Sequence, residues 1–119
     1  MTDSSTSSGA PGALAASEVT SLTSTVEIAP NAVVSRTLAR SAGGNVTVFA
    51  FDAGQELAEH SAPFDAMVQL IVGKLVVVIG GTDHELDPGE VIIMPADVPH
   101  AVRAPEQAKW MLVMLKRET

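Results

Sequence analysis

The chain has 119 residues, 46% of them hydrophobic, which is enough for one packed core and not for two. It carries seven Lys and Arg against fourteen Asp and Glu, a formal net charge of −7, and no Cys. Disulfides and thiolate metal sites are excluded, and the scattered basic residues do not form the cluster that nucleic acid requires. No apolar run is long enough to cross a bilayer, and Met1 to Gly12 has neither a basic region nor an apolar stretch, so a soluble cytoplasmic protein with no membrane contact is expected.

Residues 1–24 are dominated by Ser, Thr, Gly and Ala, a composition that buries too little apolar surface to offset the entropy of ordering. They are read as a flexible low-complexity tail, and 25–119 as one domain. From Val33 onward short β-rich runs alternate with turn residues. They are Val33–Leu38, Val46–Phe51, Leu57–His60, Met67–Val72, Leu75–Ile79, His84–Leu86, Val91–Met94, His100–Arg103 and Trp110–Leu115. None has a sustained helical period. Many short strands with regular turns predict an all-β sandwich or barrel. Gly80-Gly81 suits a two-residue hairpin, and Asp87-Pro88-Gly89 suits a turn in which Pro fixes φ and Gly takes the left-handed position. Pro95 and Pro99 cannot donate to a ladder, so they belong at strand ends on either side of the segment leading to His100.

Two stretches resemble the motifs of the cupin superfamily. In the first, Gly54 leads to His60, then Pro63, and closes at Gly73; in the second, Gly89 leads to Pro95, Pro99 and His100. Both motifs in order, separated by a hairpin, cover roughly 54–104. The resemblance implies a double-stranded β-helix, the jelly-roll cupin barrel of small RmlC-like proteins. It also implies a divalent transition metal held by two His and a Glu of the first motif and one His of the second. Here the second His position is Ala62, the Glu position is Ala66, the Asn after the second motif is Ala104, and the Gly before its His is Asp97. Only His60 and His100 remain. Two imidazoles alone make a weak, open site, whereas a protein-bound divalent metal usually takes three or four ligands.

His60 and His100 are therefore the candidate site residues, either as residual metal ligands or as an acid/base pair, since an ordinary imidazole titrates near neutrality. The bland alternative is two histidines satisfied by backbone or water. Their ring nitrogens are expected near one common point, roughly twice a metal–nitrogen bond apart or somewhat more. Ala62 and Ala66 share their parity and should enlarge an apolar cavity, with Met94, Gln69 and Trp110 as further pocket candidates, Gln69 having a hydrogen bond within a subunit interface as its alternative. Glu59 and Asp65 lie one residue off that parity and point outward unless a bulge reverses them. His84 is read as a surface residue. Met67, Met94, Met111 and Met114 fill the core, or else supply thioethers for Cu(I) beside the two His.

The expected function is a small organic ligand, with or without a weakly held divalent metal, in a cavity lined by His60 and His100. It is either isomerase, cyclase or lyase chemistry or metal-free binding in a structural barrel. No nucleotide fingerprint is present. The resemblance further implies a homodimer, with Thr25–Leu38 as the segment for strand exchange.

Overall fold

A computed structural model describes residues 12–116. The nine expected strands all form, most with ends extended by one to three residues. They are β1 (Val33–Ser41), β2 (Gly44–Phe51), β3 (Glu56–His60), β4 (Asp65–Val72), β5 (Leu75–Ile79), β6 (Thr82–Leu86), β7 (Val91–Met94), β8 (His100–Arg103) and β9 (Ala108–Leu115). A five-stranded sheet runs β1-β2-β9-β4-β7 and a four-stranded sheet runs β3-β8-β5-β6. Their strands pair antiparallel throughout, and the two sheets face each other as the expected jelly-roll barrel. Apart from one 3-10 turn at Leu22–Ser24, no helix occurs among the described residues, and none is long and apolar enough to cross a membrane.

The turns follow their residues. Gly80 and Gly81, both at positive φ, join Ile79 to Thr82 as a two-residue hairpin whose twist matches that of the flanking strands. The Asp87-Pro88-Gly89 turn closes through Glu90 N–H donating to Asp87 O at 3.0 Å.

Period-two alternation divides each strand between two faces. On β4, Ala66, Val68 and Leu70 are buried inward, while Met67 and Gln69 face the other way and are half-buried. The barrel core is built from Phe51, Val68, Leu70, Leu75, Val77, Val102 and Trp110, all essentially inaccessible to solvent. At its centre the Trp110 ring stacks on Phe49, 4.4 Å apart and 12° from parallel, and meets Phe51 edge-on at 5.4 Å.

The outer face of the large sheet carries a second cluster. Val26, Leu38, Val48 and Ala50 are buried there, with Leu14, Leu22 and Ile28 packed against them. Leu14 N–H donates to Leu38 O at 2.9 Å, and Arg36 Nε donates to Gly12 O at 2.6 Å. Within the expected tail, Leu14 and Leu22 thus lie against the outer apolar side chains that β1 and β2 present. Residues 1–11, the rest of that tail, lie outside the described residues. Thr25–Leu38 also packs on its own barrel, with β1 paired to β2 from Val33 to Ser41.

Candidate functional site

β3 and β8 are neighbours in the small sheet, and the ladder sets His60 directly opposite His100. Leu57 pairs with Val102 on the same ladder, and the register shifts between Leu57 and His60. Strict alternation from Leu57 would turn Glu59 inward and His60 outward. The bulge takes up the odd residue, so Leu57 and His60 both line the interior and Glu59 stays exposed.

The two rings meet edge to face, with centroids 4.5 Å apart and planes at 75°. Their Nε2 atoms are 3.3 Å apart. Each Nδ1 is engaged with a main-chain carbonyl two residues earlier in the chain: His60 with Ala58 O at 2.9 Å and His100 with Val98 O at 3.2 Å. A carbonyl only accepts, so each Nδ1 carries a proton and donates it. In the neutral rings both Nε2 atoms then present lone pairs to one another. That arrangement is repulsive until a proton, a cation or a hydrogen-bond donor comes between or beside them. His100 is only 4% exposed, whereas His60 is open to solvent. Burial, with the nearby His60 charge as the second cause, holds the His100 pKa below the ordinary 6.5. The pair therefore resists holding two protons.

Behind the histidines is an apolar cavity of about 50 Å3. Ala62, Ala66, Met94 and Trp110, four of the five expected pocket residues, line it together with His60, His100, Leu57, Phe64, Val102, Leu112 and Met114. Gln69 is the exception and is corrected: it is odd in parity to Ala66, Val68 and Leu70, so β4 turns it to the outer face opposite Met111. Trp110 Nε1, fully buried, has no hydrogen-bond partner among the described residues. The sequence did not single out Leu57, Phe64, Val102 and Leu112 as lining residues, and it offered Met114 only among the four strand methionines. Met114 is brought in by ladder register. Ala66 pairs with Met94 on one side and with Met114 on the other, so the two thioethers flank it on the same face.

The loops around the site are held by specific contacts. Asp97 N–H donates to Ala62 O at 2.7 Å, tying the loop after β7 to the loop after β3. Asp97 stands at φ 66, the left-handed conformation that the Gly of the resembling motif would adopt freely and that Asp tolerates better than most residues. Asp65 Oδ1 accepts from Ala96 N–H at 2.8 Å, which gives that carboxylate a loop-fixing role outside the cavity. His84 sits on β6 opposite Val77, half-buried and away from the cavity.

The four-ligand metal site implied by the resemblance does not fit these residues. Two of its positions are methyl groups, and among the described residues no three His, Cys, Asp or Glu side chains come together. The two imidazoles alone do match metal geometry, since nitrogens about 2 Å from one tetrahedral ion stand roughly 3.3 Å apart. That spacing is shorter than the expected doubled bond because the two nitrogens meet at a bend.

No curated protein matches the chain. Among solved structures, a conserved protein of unknown function from Streptococcus pyogenes is 38% identical, with a TM-score of 0.81 over 87% of this chain and 90% of that one. A cupin superfamily protein from Desulfitobacterium hafniense is 26% identical, with a TM-score of 0.77 over 81% and 88% of the two chains. A cupin 2 conserved barrel domain protein from Leptotrichia buccalis is 31% identical with a TM-score of 0.77, covering 80% of this chain and 46% of that longer one. The family model described as the cupin domain matches residues 47–114, the span that contains both histidines and every strand lining the cavity. With motifs, barrel and relatives in agreement, the chain belongs to the cupin family.

Proposed function

We propose that this cupin binds a small organic molecule at the His60–His100 face, with a short apolar end in the cavity and its polar part against the two Nε2 atoms. The supporting observation is the convergence of those atoms at 3.3 Å with both Nδ1 positions already committed. A cavity of about 50 Å3 is well short of the roughly 150 Å3 that takes a benzene-sized guest. Most of a ligand must therefore extend past exposed His60 toward solvent. Two facing lone pairs 3.3 Å apart leave room for one proton between them, which suits removing a proton from a bound molecule and returning it elsewhere. Chemistry of the isomerase, cyclase or lyase type follows from that single-proton capacity. The small, apolar interior favours a second reading, binding without turnover.

A fragment screen followed by nuclear magnetic resonance tests the proposal. Hits should perturb the Trp110 indole and His60 resonances. His60→Ala, which removes the anchor, and Ala66→Leu, which fills the apolar end, should each weaken binding by about tenfold or more. Binding indifferent to both substitutions would overturn the reading. Uptake of deuterium from heavy water into a carbon of the bound molecule separates turnover from holding.

We also propose a second copy of the chain as partner of the uncovered part of the large sheet. Val91 and Ile93, 55% and 48% exposed on edge strand β7, continue across the sheet into Met67 and Val113. The cluster under the N-terminal segment reaches Met111 on β9 and Ile71 on β4 but leaves Val91 and Ile93 at the β7 edge exposed.

A further inference from the structure

The mismatch with the family's metal site has a direction. The position where the resemblance places a carboxylate is Ala66, and the ladders bring a methionine to each side of it, Met94 on β7 and Met114 on β9. Side chains directly opposite in antiparallel strands share a face, with Cβ atoms roughly 4.5–5.5 Å apart. Both methionines line the same cavity as His60 and His100. A hard oxygen donor is thus replaced by two soft sulfur donors, while two imidazole nitrogens are retained with free lone pairs at a separation that suits one ion. Thioethers and imidazoles favour monovalent copper; Zn(II), Mn(II) or Fe(II) would require the missing carboxylate or imidazole. We infer that His60, His100, Met94 and Met114 form a binding site for Cu(I).

The inference rests on the same cavity as the proposed function but not on proton transfer. Copper, a proton and the polar part of the proposed ligand all compete for the same two Nε2 lone pairs, so a copper-loaded chain has neither that base nor that anchor. The two other strand methionines serve as internal references. Met67 and Met111 lie on the opposite face of β4 and β9, out of reach of the histidines.

The test titrates Cu(I), kept reduced under anaerobic conditions, into the metal-free chain against a chromophoric Cu(I) chelator while the emission of Trp110, the single tryptophan, is recorded. One equivalent should bind and quench the tryptophan, because Trp110 borders the site. Met94→Leu and Met114→Leu conserve volume and keep the fold. Each should weaken Cu(I) by at least about tenfold, a loss that even outer partners of a metal ligand can cause. His60→Ala should weaken it further, and Met67→Leu should leave it unchanged. Zn(II) should bind far more weakly than Cu(I). Failure to bind one equivalent would overturn the site. So would binding indifferent to Met94 and Met114, or Zn(II) binding as tight as Cu(I). If fragments still bind while copper does not, only this inference fails and the proposed function stands.

Discussion

Gly73 marks a close approach between the turn after β4 and the start of β9, and replacing it makes a quantitative test of the fold. It sits at φ +94 between β4 and β5, where a methyl group would overlap the carbonyl oxygen of Gln107 and come within 2.9 Å of Ala108 Cα at the start of β9. Gly73→Ala thus carries two costs. The left-handed backbone costs an L-residue about 1–2 kcal/mol. Pushing the start of β9 away from the turn adds a packing cost of about 1–3 kcal/mol. The reduced freedom of the unfolded chain offsets about 0.4–1 kcal/mol of this. The net expectation is a loss of roughly 3 kcal/mol. Gly54→Ala is the matched control, because Gly54 is also left-handed at φ +86 but has nothing within 4 Å of the added methyl. It should lose only about 1 kcal/mol. Urea unfolding of both variants gives the difference, which is the contact term alone. Equal losses would show that Gly73 is not the close-approach point described above.

Two further outcomes are expected. In the metal-free chain the folded state depresses the His100 pKa below 6.5, so the unfolded state binds that proton more readily. Stability from this source is complete above the ordinary histidine pKa and is lost as the pH falls through 6.5 toward the folded value. Urea midpoints compared between about pH 7.5 and 5.5 should fall more in the native chain than in His100→Asn, and equal falls would contradict the assignment. The proposed pairing of outer faces predicts a dimer by light scattering that Ile93→Glu converts to a monomer with unchanged strand content. A native chain that is monomeric at high concentration would count against this face as an interface.

The strands were legible in the sequence because their signals are local. Alternation, β-branched runs and Gly or Pro at the ends mark every element from Val33 to Leu115, and both histidines stand at motif positions. What alternation alone could not show was the bulge between Leu57 and His60, since an extra residue leaves no compositional trace. Simple counting from Leu57 would have sent His60 to solvent. Polarity alone left Gln69 open between the pocket and an interface, and its parity on β4 puts it on the outer face. The pairing of Met94 and Met114 around Ala66 depends on the register of β4 with two strands distant in sequence. Met114 looks like any core residue until those ladders are in place. The contacts of Leu14 and Leu22 were hidden likewise, because the small polar residues around them dominate the composition.

The hydrogen bond from Asp97 to Ala62 joins the two segments that bear the histidines, leaving little slack between them. Each ring is also braced from behind by its own strand's main chain. A guest therefore meets a receptor already in its final shape. Association should be fast and nearly free of the ordering entropy that mobile loops impose, so differences among guests will show chiefly in how slowly they leave.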